Sequence, residues 1–393
     1  MAVPVPVVMF HSIRPPVYRW KSGFLSCPTR FFESYLIYLK SHGYQTVLLT
    51  DLLNYLEGRG QLPGKSVALT FDDGYLDNWI FAAPLLRKYG FFGTIFVSPE
   101  FVDPREVIRE QWNLEEGGMP DASRVDGFMS WLELKEAQNS GVFDVQSHTM
   151  THTWVFTSSR IVDFHHPGDS YHWLAWNERP DRKPYWMEED QSEIVAYGAP
   201  VYTYERAITA RRFFESEGIR DEFTEFVAKN GGVEFFKRTD WRERLFALAD
   251  QLCLDGCIES EDEYRVRLVW ELSSSREEIE SRIGKRVDIV CWPGGSYNDT
   301  SIEAAQRVGY RGWDIRVPRD APNVPCRKPP GIFRVSVPVL DVGVASAVVN
   351  KLVFKYILES YRGIAPWKQF RWAMRNMNIT KLLLRRQFRK AQG

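Results

Sequence analysis

The sequence predicts an α/β fold built on a parallel sheet or barrel, and two features of the chain lead to this prediction. Short runs rich in β-branched and aromatic residues alternate with stretches that carry apolar residues at helical spacing. The composition is that of a globular protein, with 44% hydrophobic and 26% charged residues. At 393 residues, the chain can form one large domain with an insertion or appendage, or two ordinary domains.

The first part of the chain carries the clearest alternation of strands and helices. Candidate strands lie at Val5–Phe10, Thr46–Thr50, Ser66–Phe71, Gly93–Ser98 and Val142–Ser147. Apolar residues recur at helical spacing in Arg30–Ser41, and Gly43 follows as a C-cap. The run Trp131–Gln138, closed by Gly141, predicts another helix for the same reason. We therefore expect residues 1–153 to form the first part of the barrel.

The pattern changes in the middle of the chain. Residues 154–262 are rich in Trp, Tyr and paired charges, and we expect an aromatic-rich, mostly helical insertion that caps the barrel. A helix and three strands are then expected at Ser275–Ile283, Val287–Trp292, Arg311–Ile315 and Ile332–Val337. Residues 263–343 would supply the second part of the barrel, and residues 344–393 would form a helical tail.

Cysteine use and the N-terminal residues favour a cytoplasmic protein. The five cysteines show neither zinc-ribbon nor disulfide-framework spacing, which fits a reducing compartment. The first ten residues lack the basic region, long apolar core and cleavage site of a signal peptide. The sequence also has no uninterrupted apolar run long enough to span a bilayer.

Two adjacent carboxylates follow the predicted strand Ser66–Phe71. Asp72 and Asp73 are followed by Gly74, which allows the chain to turn at this point. Two neighbouring carboxylates in one cleft can perform different tasks, one as a cation ligand and one as a proton acceptor. The same residues would also suit an Asx-type turn that caps a helix. Only the neighbouring motifs can separate these two interpretations.

Two imidazoles, His148 and His152, lie four residues apart directly after the predicted strand Val142–Ser147. Their Cβ atoms would be about 5–6 Å apart in a helical turn but about 13 Å apart in a continuous strand. Metal binding therefore requires a turn here. Two His and one carboxylate form the open ligand set of catalytic zinc, which leaves a position for water. A His pair by itself is more often structural.

The segment Cys291–Asn298 follows another predicted strand. Pro293 and two glycines free the backbone to approach a ligand closely. The backbone N–H of Gly294 could stabilise an oxyanion. Taken alone, the segment would suit an ordinary loop between a strand and a helix.

Together and in this order, the three segments resemble the polysaccharide deacetylases that share the rhizobial chitooligosaccharide deacetylase domain, also called carbohydrate esterase family 4. Val67–Tyr75 is similar to the first family motif and Ser147–His152 to the second, while Ala83–Gly90 and Phe128–Leu134 also resemble family segments. The resemblance covers the chain outside the insertion and the tail. It implies a distorted (β/α) barrel of the polysaccharide deacetylase type with a long insertion and a helical C-terminal tail.

The resemblance also implies roles for individual residues. Asp72 would be the catalytic base, the set Asp73, His148 and His152 would bind the metal, and Gly294 would act through its backbone. The residues expected to bind substrate are Trp292, Pro293, Tyr297, Arg334 and His11. The candidate general acids are His11, His165, His166 and His172, each of which would equally suit the surface or ordinary packing.

Two features of the family pattern are missing from this sequence. Many members carry an Arg that orients the base, and the corresponding position here is Cys291, so a different group must do that work. The late Leu-x-x-His segment that supplies a general acid in many members is also missing, because the last histidine of the chain is His172. Arg334 resembles the Arg of the closing strand of the family.

The implied reaction removes an N-acetyl group from an amino sugar in a polysaccharide, oligosaccharide or lipid-linked glycan. Metal-activated water would attack the acetamide carbonyl while Asp72 takes its proton, and the metal and Gly294 would hold the oxyanion. The cofactor is expected to be a divalent metal ion, first of all Zn²⁺, with Co²⁺, Ni²⁺ or Mn²⁺ as other candidates. Two alternatives stay open: a hydrolase of another non-peptide C–N bond, such as a cyclic amide, and a non-catalytic carbohydrate-binding relative.

The insertion and the tail bear on the partners of the protein. The aromatic residues of the insertion would suit either packing on sugar rings or the core of a small cap. From Lys351 onward, eleven Lys or Arg residues stand against one acid, and apolar residues recur among them at helical spacing. Such a basic amphipathic helix could dock on an anionic membrane surface, on a partner or on the acidic remainder of the chain.

We favour the membrane surface, at the inner face, because a cytoplasmic deacetylase of lipid-linked glycans would meet its substrate there. Nucleic-acid binding is not expected, since the basic charge is confined to the terminus.

Overall fold

The computed structural model describes residues 4–15, 25–115, 125–315, 323–324, 331–340 and 343–362. The strands are β1 (Val7–Phe10), β2 (Ser12–Arg14), β3 (Ser26–Pro28), β4 (Gln45–Thr46), β5 (Ser66–Phe71), β6 (Gly93–Val97), β7 (Phe143–Ser147), β8 (Trp154–Phe164), β9 (Pro200–Arg206), β10 (Phe213–Glu215), β11 (Gly256–Ile258), β12 (Ile289–Val290), β13 (Gly312–Ile315), β14 (Gly331–Phe333) and β15 (Val335–Ser336). The α-helices are α1 (Thr29–Ser41), α2 (Leu49–Leu56), α3 (Ala83–Tyr89), α4 (Trp131–Asn139), α5 (His172–Glu178), α6 (Ile219–Lys229), α7 (Trp241–Ala249), α8 (Glu261–Ile283), α9 (Asp299–Val308) and α10 (Ser346–Tyr361).

The main sheet is parallel and nearly closes into a barrel. Its strands follow the order β14-β13-β12-β7-β6-β5-β1-β15, and β4 adds to β5. The first and last strands of this order, β14 and β15, are consecutive in the chain and are separated only by Arg334. One short segment therefore pairs with β13 on one side and with β1 on the other. The predicted (β/α) barrel is confirmed.

Burial on both faces explains why the barrel strands are continuously apolar. All six residues of β5 are buried, as expected for a parallel strand that is covered on each side. On one side, α1 buries Phe32, Tyr35 and Leu39 in the main core. The ring of Phe71 stacks on Phe10, with centroids 5.6 Å apart, so neighbouring strands are packed as well as hydrogen-bonded. This packing fixes the strand ends from which the motif residues leave.

One predicted strand is wrong. Thr46–Thr50 was expected to be a strand, but β4 ends at Thr46 and α2 begins at Leu49. The apolar residues Leu49, Leu52, Leu53 and Leu56 recur at helical spacing and are all buried on one face of α2. The burial of this face outweighs the β propensity of the preceding residues.

The insertion contains a long antiparallel ribbon as well as helices, so the expectation of a mostly helical segment describes only part of it. Strands β8 and β9 pair over most of their length, and β10 pairs with β11. The aromatic side chains pack largely against one another: Trp173 and Trp176 are buried in a cluster with Trp154 and Phe156 at its edge. The ribbon starts two residues after His152, so the insertion grows directly out of the second motif.

The tail is described only as far as residue 362. Helix α10 begins close to the predicted start of the tail and packs on α1, where the rings of Phe354 and Tyr35 stack with centroids 4.4 Å apart. Residues 363–393, which carry most of the predicted basic helix, lie outside the described residues. None of the helices within the described ranges combines the length and the apolar character needed to cross a membrane.

Candidate metal centre

The first motif turns sharply where β5 ends. Asp73 and Gly74 both adopt a positive φ of 71°. A Cβ atom on Gly74 would lie 2.9 Å from Cγ1 of Val97, so a side chain there would collide with β6 as well as strain the backbone. This turn directs the two carboxylates away from the strand path. The sequence had predicted the turn from Gly74.

The second motif forms the turn that metal binding requires. His148 and His152 follow β7 in a loop in which Thr149 and His152 have positive φ values of 66° and 47°. The Nε2 atoms of the two imidazoles each lie 3.3 Å from the same oxygen, Oδ1 of Asp73. Three candidate ligand atoms therefore converge, all within 4.8 Å of one another. Non-glycine residues with positive φ are unusual, and such strain is concentrated at functional sites.

Two buried charged residues hold the loop between the histidines. Glu271 of α8 accepts hydrogen bonds from the backbone N–H groups of Met150 and Thr151, at 3.2 and 3.0 Å, and from the Thr151 hydroxyl at 2.5 Å. Lys183 of the insertion donates to the Thr151 carbonyl at 2.9 Å and is paired with Glu100. These contacts offset the strain of the loop and fix the spacing of the two imidazoles.

The donor set fits a divalent metal ion. Nδ1 of His148 lies 2.9 Å from the carbonyl oxygen of Cys291, which can only accept a hydrogen bond, so this nitrogen carries the proton. In the neutral ring, Nε2 then presents a lone pair towards Oδ1 of Asp73, and these two atoms repel each other unless a cation or proton lies between them. Two imidazole nitrogens and one carboxylate oxygen form the mixed set that zinc and related ions accept.

The electrostatics of the cluster favour metal-binding forms of Asp73 and His152. Burial opposes a charge on His148, but the hydrogen bond to Asp73 and the charges of Asp72 and Asp73 raise the pKa of this imidazole. Burial favours the neutral form of Asp73, but hydrogen bonding to His148 and the charges of the nearby histidines hold the pKa of this carboxyl well below its usual range. Burial and the positive charge of Arg206 hold the pKa of His152 well below its usual range, which leaves this imidazole neutral. A carboxylate and a neutral imidazole are the states that bind metal.

Asp72, the predicted base, is gripped by an arginine from the closing strand. Arg334 donates from Nη1 and Nη2 to the two carboxylate oxygens of Asp72, at 2.6 and 2.9 Å. The same Nη2 atom lies 2.8 Å from the sulfur of Cys291 and 3.2 Å from Oδ2 of Asp314. Burial raises the pKa of Asp72, but the charges of Arg334 and of the nearby histidines outweigh burial. The pKa of this carboxyl therefore lies below its usual value. Many family members have an Arg at the position of Cys291. Here, Arg334 contacts both Cys291 and the predicted base Asp72 instead.

The remaining predicted substrate residues lie around the third motif and at the end of β1. Trp292 is fully buried, and its backbone N–H donates to Oδ1 of Asp314 at 2.7 Å. The rings of Trp292 and Tyr297 lie 6.3 Å apart, and Pro293 begins a single 3₁₀ turn that contains Gly294. Gly294 adopts a positive φ of 60°, a backbone conformation that favours glycine. An added Cβ atom would also lie close to the guanidinium of Arg206. His11 places Nε2 3.9 Å from Asp72.

The three candidate acids from the insertion line a cavity of about 230 Å³ within it. His165 contacts Oδ2 of Asp169 at 2.7 Å and the Ser192 carbonyl at 2.9 Å. His166 packs on Trp241, with ring centroids 5.0 Å apart. His172 lies beside Trp186. The structure therefore gives these histidines surroundings of their own, built from residues of the insertion.

Arg206, a charged residue that lies beside the centre, was not identified from the sequence. It ends β9, and its guanidinium carbon lies 3.5 Å from the centroid of the Trp154 ring. Burial lowers the pKa of Arg206 to about 10, against the opposing effect of Asp73. Its position follows from the pairing of β8 with β9, which the sequence did not predict.

Comparison with known proteins agrees with this geometry. The polysaccharide deacetylase family matches residues 59–176 and 222–313, which is more than half of the chain. The Bacillus subtilis (strain 168) protein YxkH, named for this family, is 28% identical over 148 residues, covering 38% of this chain and 43% of that protein. The poly-β-1,6-N-acetyl-D-glucosamine N-deacetylase of Staphylococcus aureus (strain MSSA476) is 31% identical over 120 residues, covering 30% of this chain and 35% of the relative.

Among solved structures, a de-N-acetylase from Aggregatibacter actinomycetemcomitans is similar, with a TM-score of 0.52 and 19% identity, and covers 88% of this chain and 99% of that one. This likeness shows the fold. The chain spans less than half the length of the two curated relatives named above. The family match includes the segments that carry Asp72, Asp73, His148 and His152. The chain therefore belongs to the polysaccharide deacetylase family of hydrolases.

Proposed function

We propose that this protein is a metal-dependent hydrolase that removes the N-acetyl group from an amino sugar in a glycan. The observation that carries the proposal is the convergence of Asp73, His148 and His152 on one point beside a second, separately held carboxylate, Asp72. The S. aureus relative is named for the deacetylation of poly-β-1,6-N-acetyl-D-glucosamine, so β-1,6-linked N-acetylglucosamine oligomers are the first substrates to test.

A divalent ion held by Asp73, His148 and His152 would supply Lewis acidity and lower the pKa of a bound water. The residues of the chain account for the other requirements of the reaction. Asp72 accepts the proton of the attacking water, and its ion pair with Arg334 keeps it unprotonated and fixed in orientation. Oδ1 of Asp72 keeps a lone pair free after the contact with Arg334, whereas Oδ2 also accepts from the Cys291 thiol at 3.7 Å.

The acyl oxygen gains negative charge during the attack, and the backbone N–H of Gly294 is assigned to it. Gly294 lies in the tight turn after β12, where its positive φ permits a close approach to a ligand. The departing amine needs a proton, and His11 is the best placed of the candidate acids. It lies 3.9 Å from Asp72, and its side chain is 21% exposed, so both the base and solvent can reach it.

A metal analysis paired with acetate release tests the proposal. We expect the purified protein to carry about one equivalent of metal, with zinc the first candidate, and to release acetate from N-acetylglucosamine oligomers. Asp73→Ala should lose both the metal and the activity. Asp72→Asn is the matched variant: it should keep the metal while acetate release falls by roughly 10²–10⁴-fold, because only the base is lost.

The alternatives predict other outcomes. Ring opening of a cyclic ureide without acetate release would assign the site to another C–N bond. Bound metal and bound glycan with no turnover of any acylated amine would indicate a carbohydrate-binding relative. A cytoplasmic location and docking of the basic tail on the anionic inner membrane face stay predictions from the sequence.

A further inference from the structure

We propose that Arg206, which the insertion supplies, is a catalytic residue that donates a hydrogen bond to the acyl oxygen of the substrate as negative charge develops there. This inference rests on the proposed function. It assigns to the insertion a direct part in the chemistry in addition to the shaping of a cleft.

The backbone fixes the position of Arg206 beside the metal ligands. In the ribbon, Arg206 pairs with Trp154, and the N–H of Ala207 donates to the Thr153 carbonyl at 3.1 Å. Thr153 directly follows the ligand His152. The ribbon therefore begins and ends side by side: Trp154, its first residue, pairs with Arg206, the last residue of β9. Arg206 is held there by main-chain hydrogen bonds that do not depend on its own side chain.

The guanidinium lies between the metal ligands and the third motif. Its carbon stacks on the Trp154 ring at 3.5 Å, which fixes the plane of the group. A Cβ atom on Gly294 would lie 3.1 Å from Nη2 and 3.2 Å from Nε of Arg206. The arginine is therefore packed against the residue whose N–H is assigned to the oxyanion. Burial lowers the pKa of His152, and the charge of Arg206 lowers it further.

One nitrogen of the Arg206 guanidinium lacks a hydrogen-bond acceptor among the described residues. Nη1 of Arg206 is buried and makes no hydrogen bond to any residue in the described part of the chain. Arg334 also has one buried donor without an acceptor, Nε, but its Nη1 and Nη2 atoms both donate to the carboxylate of Asp72. A buried donor without an acceptor destabilises the fold, and a charged donor does so more strongly. A site that keeps such a donor beside its catalytic groups is suited to an acceptor that arrives with the substrate.

The chemistry of the acceptor follows from the position. The acyl oxygen is neutral in the bound amide and becomes anionic when water adds to the carbonyl carbon, so a cationic donor binds it more strongly during the reaction than before. Arginine suits this task because it stays protonated throughout and presents several donors in a fixed plane. The carboxylate of acetate, one of the two products, offers the same kind of charged oxygen.

Acetate binding and acetate release, measured on the same variants, test the inference. Arg206→Gln should weaken the binding of acetate to the metal-loaded protein by roughly tenfold, measured by isothermal titration. It should also lower kcat by roughly 10²–10³-fold with little change in KM, as for loss of one oxyanion donor. Arg206→Lys should recover part of each effect. Arg160→Gln, at an exposed position on β8 of the same ribbon, is the matched control and should leave both unchanged.

Metal content and thermal unfolding separate this role from a structural one. Unchanged acetate affinity and kcat in Arg206→Gln would overturn the inference, and so would a loss of activity that merely follows loss of metal or of folded protein. If the wild type releases no acetate from any N-acetylated glycan, the proposed function fails. Acetate binding that still depends on Arg206 would then support an anion-binding role for this residue, whereas binding independent of it would remove that role as well.

Discussion

At the scale of single residues, nearby charged groups set the pKa values of the side chains at the centre. Asp72 and Asp73 are adjacent in the chain, yet one pairs with an arginine and the other faces two imidazoles. Backbone conformation makes this difference, since Asp73 has a positive φ of 71°. The same residue type therefore has two different environments at consecutive positions.

Another carboxyl near the first motif, Asp77, makes a measurable contribution to stability. It is buried, accepts hydrogen bonds from the Ser12 hydroxyl at 2.5 Å and the Ile13 N–H at 3.1 Å, and lies 4.0 Å from Nε of Arg14. Burial raises the pKa of Asp77 to about 6, although Arg14 and the two donors oppose the change. The folded protein thus holds this proton more tightly than the unfolded chain does.

The sign of the pH effect follows from this difference. A carboxyl with a raised pKa stabilises the fold below its unfolded pKa of about 3.9, and this contribution is lost as pH rises through about 6. We expect Asp77→Asn to gain on the order of 2 kcal/mol in free energy of unfolding relative to wild type between pH 4 and pH 7. Urea denaturation at both pH values measures this difference. The control Asp262→Asn, at an exposed position on α8, should show no such gain, and equal behaviour of the two variants would contradict the assignment.

Residue-scale prediction from the sequence succeeded where the pattern is local. Gly74 indicates its turn directly, and the spacing of His148 and His152 states the geometry that metal binding would need. Arg206 could not be found in this way, because its position depends on the pairing of two strands that are distant in sequence. The sequence showed that Cys291 could not orient the base, but not that Arg334 would contact both the thiol and Asp72.

At the scale of elements, the loop after β7 depends on a helix that lies far away in the chain. Glu271 of α8 accepts three hydrogen bonds from Met150 and Thr151, between the two histidines. Glu271 is only 2% exposed, and this burial raises the pKa of its carboxyl. The helix therefore acts as a support for the metal loop.

Substitution of Glu271 tests this support. Glu271→Leu should weaken zinc binding by roughly 10–100-fold, because supporting partners of metal ligands commonly have effects of this size. Glu271→Gln should restore much of the affinity, since an amide can accept from the two N–H groups and donate to the Thr151 hydroxyl. Competition with a chelator measures the dissociation constants. Glu277→Leu, at an exposed position on the same helix, is the control. Unchanged zinc affinity in Glu271→Leu would show that the loop holds its shape without the helix.

Element boundaries show where sequence patterns compete. Strand β5 was predicted with its observed bounds because its apolar run ends at Phe71, directly before the turn at Asp73 and Gly74. The strand predicted at Thr46–Thr50 was wrong because helical burial of leucines begins within it. The long ribbon of the insertion was not anticipated, since its exposed residues blur the alternation that reveals a strand.

At the scale of the whole molecule, barrel closure depends on a buried asparagine. The side chain of Asn323 donates to the carbonyls of Val5 and Phe333, at 3.1 and 2.8 Å, and accepts from the N–H of Phe333 at 2.8 Å. It thereby connects the start of the first strand with the closing segment. Arg334 directly follows Phe333, so the same connection positions the arginine that holds the base.

Removal of this connection should affect stability and activity together. We expect Asn323→Ala to lower the free energy of unfolding by about 2–4 kcal/mol, since it leaves buried backbone groups without partners. Thermal unfolding measures this loss, and faster hydrogen exchange at the Val335 amide would place it at the closing segment. Asn139→Ala, at the exposed end of α4, should have little effect. A destabilised variant with unchanged exchange at Val335 would contradict the role of Asn323 in closure.

The closing segment, from Gly331 to Ser336, also has a consequence for incomplete chains. A polypeptide cut or released before residue 331 would keep the predicted metal ligands and the predicted base, yet it would lack the partner of both sheet edges and the guanidinium beside Asp72. Such a fragment could bind a cation without a properly oriented base. Since the barrel stays open until this segment docks, the predicted base is held in place only after nearly all of the sheet has been synthesised.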